Sequence, residues 1–263
     1  MKGGVIMQLQ LNLGIKKRIY LPIHYNHVVQ GAIYNNLDQE TAKKIHEVGF
    51  TYEKRSFRLF TFSRLMGRYQ IDKKAQTISF DSDLKLVISS PLEFFCSSLL
   101  EHFLKVGFFR LGEYELEVIG VDIIQDKITD KRVRIRSLSP IVTYSTILKA
   151  DHKKYTFYFQ PGEPEFTRLV QENIAKKYSI IHKTSVPNGE IKILPSSQPR
   201  LSIINYKGTI IKGYMCNLVM EGPPVMLQVA LDTGIGSKNS QGFGCVAIMG
   251  TRKSSKRGCE CAN

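Results

Sequence analysis

Two hydrophobic periods alternate along this chain, and they do so twice in the same order. In residues 7–13, Met-Gln-Leu-Gln-Leu-Asn-Leu, apolar and polar side chains alternate strictly, the mark of a strand buried on one face. Residues 26–37 switch to the helical period, with Val28, Val29, Ala32, Ile33 and Leu37 on one stripe and Asn26 placed to cap it. At about 100° per residue Tyr34 falls roughly opposite that stripe. Asp38 opens a second short helix to residue 48, which Gly49 ends. The aromatic run 56–63 reads as a strand, and 76–90 as a strand or hairpin arm. Leu92, Phe95, Leu99 and Phe103 mark a helix over 91–106 that Gly107 stops. Residues 112–124 close the unit as a strand. The order is β-α-β-β-α-β, the ferredoxin-like unit.

After a polar bridge, 125–131, the order repeats. Arg132-Val-Arg-Ile-Arg136 alternates three arginines against Val133 and Ile135. A hairpin over 141–147 and 154–160 is inserted before a helix, 163–178, carrying Phe166, Leu169, Val170, Ile174 and Tyr178 on one side. Strands at 190–194 and 208–220, a short helix at 224–232 and an apolar run at 243–249 complete it. No letter-by-letter repeat links the halves. The expected fold is α+β: two tandem ferredoxin-like domains, 1–125 and 131–250, with antiparallel sheets and helices on one face. Residues 251–263, with Arg252, Lys253, Lys256 and Arg257 and no apolar period, are expected to form a disordered basic tail.

The formal net charge is +14, from 37 Lys and Arg against 23 Asp and Glu. Such an excess favours a polyanionic partner, nucleic acid ahead of a membrane surface. No apolar run approaches the ~18 residues of a membrane span, and the N-terminal stretch reads as a strand rather than a signal peptide. The five cysteines form no framework spacing, which points to a reducing, cytoplasmic setting. Cys259-Glu-Cys261 lacks the second pair a zinc site needs. His24 and His27 lie three residues apart without an accompanying carboxylate or thiolate, so no metal or other cofactor is expected. For His102, His152 and His182 a solvated surface position is the default.

The stretch Gly234-Ile-Gly-Ser-Lys-Asn-Ser-Gln-Gly-Phe-Gly244 places four glycines as G-x-G-x5-G-x-G. It follows a helix and precedes a strand, the reverse of a dinucleotide fingerprint, and lacks the Lys-Ser/Thr of a nucleotide P-loop. Two readings remain: a loop whose backbone amides cradle a polyanion, or a glycine-rich turn without a ligand.

Several further stretches come in one order: Leu21-Pro-Ile-His-Tyr-Asn-His27 with Gln30-Gly-Ala-Ile-Tyr34, Ile45-His-Glu-Val48, Arg58-Leu-Phe-Thr-Phe-Ser63, Leu138-Ser-Pro-Ile141, and the glycine loop. Together, over residues 7–250, they resemble the CRISPR-associated endoribonucleases of the RAMP superfamily, which cut precursor CRISPR RNA at its repeats. The resemblance implies two ferredoxin-like domains side by side. It also implies metal-independent cleavage, in which a 2′-OH attacks the adjacent phosphate and leaves a 2′,3′-cyclic phosphate and a 5′-OH. His46 stands where the family often carries its histidine, and a histidine moves protons near neutral pH. Tyr34 matches the family tyrosine, to orient the 2′-OH or share in its deprotonation. Where some members have lysine this chain has Arg58, which stays protonated and grips phosphate. Charge stabilisation therefore carries over and proton donation does not; Lys54 and Arg55 are close alternatives. His27, with His24 beside it, is the reserve catalyst.

For RNA the candidates are Gly234, Gly236, Lys238, Asn239, Gly242 and Gly244 in the loop, the Arg132, Arg134, Arg136 ladder, and Lys54 and Arg55. The implied partner is CRISPR repeat RNA, with other CRISPR effector subunits as further candidates and monomer or homodimer both open. Two rivals stand beside the enzyme: a RAMP-type scaffold that holds guide RNA without cutting it, and a ferredoxin-like ligand-binding or regulatory protein with no RNA partner.

Overall fold

A computed structural model describes residues 7–53, 55–148 and 154–250. Lys54, His152, Cys259, Cys261 and the basic tail lie outside the described residues. Five α-helices are described: α1 (Asn26–Asn35), α2 (Gln39–Lys43), α3 (Glu93–Val106), α4 (Pro164–His182) and α5 (Pro224–Thr233). Among the described residues no helix is long and apolar enough to cross a membrane.

The main sheet of the first half runs Thr61–Phe62, Leu84–Ser90, Met7–Gly14, Tyr114–Ile124, with Phe108–Leu111 added at the edge. That of the second half runs Lys192–Pro195, Asn217–Glu221, Arg132–Ser137, Val246–Ile248. Numbered along the chain, the four principal strands of each half lie in the order second, third, first, fourth, and all neighbours are antiparallel. This is the ferredoxin-like topology, twice. The period-two pattern explains it locally. Leu9, Leu11 and Leu13 are fully buried against α1 and α3, while Val133 and Ile135 are buried against α4 and α5. Each such side chain contributes about 1.5–3 kcal/mol of transfer free energy.

The sequence reading differs from the fold in several places. Tyr25, not Asn26, occupies the cap of α1, because the Asn26 amide is spent on the second half of the chain. The expected strand 56–63 is two pieces, Arg55–Phe57 and Thr61–Phe62, with Leu59 between them at φ 52. Residues 76–90 also split: Thr77–Phe80 leaves the main sheet to pair with Ile19–Pro22 and Tyr69–Asp72. In the second half α4 runs on to His182, and 208–220 divides into Thr209–Met215 and Asn217–Glu221. The former pairs with Arg200–Tyr206 as an unforeseen hairpin, turning at Lys207 and Gly208 with φ of 48 and 83.

The two halves are tied by polar side chains and by a small apolar cluster, in which Val87 and Met66 of the first half meet Leu138, Cys245 and Ala247 of the second. Gln8 donates to the Val246 carbonyl at 3.0 Å, Thr61 to that of Phe243 at 2.9 Å, and Ser89 to that of Asp232 at 2.9 Å. The Asp232 side chain is buried, with Gln228 donating to Oδ1 at 3.0 Å, and burial pushes its carboxyl up to about 7. The folded state therefore holds this proton longer than the unfolded chain, where the group titrates near 3.9. Stability is lost as pH rises through that window. Asp232→Asn keeps the oxygen acceptor and removes the charge. Its melting temperature should exceed that of the wild type, by more at pH 8 than at pH 5; an equal difference at both would show that the carboxyl does not titrate between them.

Candidate nucleic-acid interface

Asn26, Gln30 and Tyr34 repeat every four residues and so share one face of α1. Asn26 Nδ2 donates to the carbonyls of Gln241 (2.9 Å) and Gly242 (3.2 Å), and Gln30 Nε2 to that of Ser240 at 2.7 Å. The Tyr206 hydroxyl donates to Gln30 Oε1 in turn. That face is thus fastened to the glycine loop, and Tyr34, one turn on, opens beside it. This is why Tyr34 is off the apolar stripe and still half-buried.

His46 arrives by a different device. Asp38 Oδ1 caps α2 by accepting from the Thr41 amide at 2.8 Å. The chain then widens into a π-helical turn, Lys44–Val48, which ends at Gly49 with φ 59. Ile45 is buried by that turn while His46 is exposed, its ring edge-on to Tyr34 with centroids 5.2 Å apart. Single π turns often occur at functional sites. The kink at Leu59 turns Arg58 back across the same place. Its guanidinium donates to the His46 carbonyl at 2.8 Å and to the Ser56 hydroxyl, and its charge acts on the Tyr34 phenol.

Burial is the main influence on the Tyr34 phenol and outweighs the opposing pull of Arg58, so its pKa is pushed up to about 12. Tyr34 therefore stays protonated near neutral pH. It can donate a hydrogen bond there but cannot serve as a ready base.

These three side chains form one wall of a cleft of about 790 Å³. The Thr143–Thr146 segment, α4 and the glycine loop form the rest, and Arg55, Lys176 and Lys238 add positive charge. Glu172 is the sole carboxylate among the described lining residues, and Arg168 holds it in an ion pair.

Gly234, Gly236, Gly242 and Gly244 all have positive φ, between 72 and 83, and all are buried. A Cβ at Gly236 would lie 2.4 Å from the Val142 carbonyl oxygen, and one at Gly242 2.4 Å from the Phe62 ring. The glycines thus allow protein to approach protein, and the polar residues between them face the cleft. Amides of Ile235, Ser237, Gln241, Gly242 and Gly244 already donate to protein carbonyls. What the loop offers a ligand is chiefly Ser237, Lys238, Ser240 and Gln241, since the Asn239 amide, a sequence candidate for RNA, is spent on Lys177 and on the loop's own carbonyls. The Lys238 ammonium sits 5.4 Å from the centroid of Tyr144.

The structure does not bring every candidate to this cleft. Arg132, Arg134 and Arg136 are exposed on the sheet face away from α4 and α5, and Arg132 pairs with Glu221 at 3.3 Å. His27 pairs through Nδ1 with the His24 carbonyl at 3.1 Å and stands edge-on to Tyr206, outside the cleft lining. Among the described residues no three His, Cys, Asp or Glu side chains converge on a common metal position. Sequence reasoning missed Lys177, which is buried beneath the loop. Its signal was available: Phe166, Val170, Ile174 and Lys177 share the buried stripe of α4, where a lysine is out of place.

Residues 20–122 match the family model described as CRISPR-associated protein Cas6, N-terminal, and residues 123–248 match that of CRISPR associated protein Cas6, C-terminal. "CRISPR-associated endoribonuclease Cas6 1" of Methanocaldococcus jannaschii is 28% identical over 246 residues, covering 91% of this chain and 92% of the relative. A solved structure titled "CRISPR associated protein Cas6" superposes with TM-score 0.74 at 25% identity, over 93% of this chain and 100% of the other. "Characterization of a Cas6-related gene from Pyrococcus furiosus" gives TM-score 0.79 at 19% identity, over 94% and 100%.

Proposed function

The chain belongs to the CRISPR-associated Cas6 family, and from that premise we propose that it is an endoribonuclease that cuts precursor CRISPR RNA within its repeats. The observation that carries this reading is the meeting of Tyr34, His46 and Arg58 on one wall of a cationic cleft whose other wall is the glycine loop. The cations hold phosphates, and each one neutralised makes binding weaken with salt.

The chemistry is transesterification. The 2′-oxygen upstream of the cut bonds to phosphorus and the bond from phosphorus to the 5′-oxygen breaks, leaving a 2′,3′-cyclic phosphate and a 5′-OH. His46 takes the 2′-OH proton, and the same proton returns to the departing 5′-oxygen, so the reaction is proton-neutral. Tyr34, protonated near neutral pH, donates a hydrogen bond to the RNA and orients the reacting group. Arg58 balances the charge that builds on the phosphorane. These groups supply proton transfer and charge between them, and the mechanism uses no metal.

Incubating the purified protein with the repeat RNA of its own locus in EDTA tests this. Cleavage should persist, with cyclic phosphate and 5′-OH ends, and a 2′-deoxy nucleotide just upstream of the cut should abolish it while leaving binding intact. Binding without cleavage of the all-ribose repeat would instead support a scaffold.

A further inference from the structure

The glycine loop is clasped from beneath. Lys177 is 2% exposed, and its ammonium donates to the Gly234 carbonyl at 2.8 Å and to Asn239 Oδ1 at 2.6 Å. Asn239 Nδ2 donates in turn to the carbonyls of Ile235 (3.2 Å) and Phe243 (3.0 Å), joining the two ends of the loop. A Cβ at Gly234 would lie 2.8 Å from that nitrogen, and one at Gly244 2.7 Å. The outermost glycines therefore shape a socket for the Asn239 amide, and Lys177 locks it. Both partners of Lys177 are neutral. A buried cation without a counter-charge is unfavourable, and the one carboxylate among the described lining residues of the cleft, Glu172, is already paired with Arg168.

We infer that Lys177 is a positioning residue for the RNA: it fixes the glycine loop through Asn239, and the RNA phosphate is its missing counter-ion, so that RNA binding draws a proton onto it. The inference rests on the proposed RNA function. Burial, unopposed by any carboxylate, brings the Lys177 ammonium down to about 7, so the free protein carries it partly neutral near physiological pH. The charged groups around it do not offset this. On α4, Glu172 is engaged by Arg168, and Lys176 is itself cationic. On α5, Asp232 is buried and bonded to Gln228. Lys238 of the loop and Arg55 and Arg58 across the cleft are positive. His46 and Tyr34 also face the cleft, and His46 needs a control. An approaching phosphate favours the charged lysine and raises its pKa. Affinity should therefore be high below about 7 and fall as pH rises through it.

The test uses a non-cleavable 2′-deoxy repeat RNA and titration calorimetry in buffers of different ionisation enthalpy. Wild type and His46→Ala should both take up roughly half a proton on binding at pH 7, and both should lose about five- to tenfold in affinity between pH 6 and pH 8. Lys177→Met, checked to be folded by its melting curve, should take up none and bind with an affinity nearly flat in pH. Salt-sensitive binding by the wild type without proton uptake overturns the inference alone, and so does equal uptake in Lys177→Met. Absence of salt-sensitive RNA binding would overturn it together with the proposed function.

Discussion

His46→Ala should slow single-turnover cleavage of repeat RNA by about 10²- to 10⁴-fold, the usual effect of removing a group that moves a proton in the transition state. The local structure makes this a clean experiment. Arg58 is held by the backbone carbonyl of His46 and not by the ring, so the guanidinium keeps its place when the imidazole is removed. His46 is exposed, and its packing is an edge contact with Tyr34, worth about 0.5–1.5 kcal/mol beyond burial. The fold should survive, and RNA affinity should stay within about threefold, because the phosphates are held by other side chains. EDTA should leave the rates of both proteins unchanged. A variant that cuts within about threefold of the wild type would remove His46 from the site. His27 would not replace it without a rearrangement, since it is turned toward His24 and Tyr206.

Gly244→Ala should do more to the whole molecule than any single charge change in the cleft. At φ 72 an alanine is strained by about 1–3 kcal/mol. Here the added methyl would also lie 2.0 Å from the Ile235 carbonyl oxygen and 2.7 Å from Asn239 Nδ2, so backbone must move. Overpacking of that kind adds about 1–3 kcal/mol. The same movement breaks the Asn239 clasp and the loop face that α1 grips through Asn26 and Gln30. A fall in melting temperature of about 5 °C or more is expected, at roughly 2–4 °C per kcal/mol for a chain of this size, with RNA affinity reduced at least tenfold. Gly208→Ala is the control, because its φ of 83 carries the backbone strain with open space around the added methyl. Similar melting curves for the two variants would mean that the carbonyl contact is not tight, and the socket account of the glycines would fail.

Much of the fold could be read along the chain because the signals were local. The alternation in residues 7–13 and in the arginine ladder gave two sheet faces, and the stripes of α1, α3 and α4 gave the helices that cover them. Breaks were less legible. The strand 56–63 looked continuous from its aromatic and β-branched residues; the kink at Leu59, φ 52, is accompanied by the reach of Arg58 to the carbonyl of His46 in the π turn, a partner no local pattern reveals. In the same way Asn26 has the chemistry of a cap, and no local pattern says that its partners lie 215 residues away.

The sequence by itself determined the two ferredoxin-like halves, the charge that calls for a polyanion, and the residue types able to move a proton or hold a phosphate. These follow from hydrophobic period and from side-chain chemistry, which act over a few residues. Only the tertiary structure decided which candidates meet. It gathered Tyr34, His46, Arg58 and the glycine loop around one cleft, left the arginine ladder on another face, and set Lys177 beneath the loop. The physical reason is that backbone hydrogen bonds and burial select a side chain's face from its neighbours along the chain. Its companions across a cleft depend on how the two halves dock, and that docking runs through contacts between residues far apart in the chain.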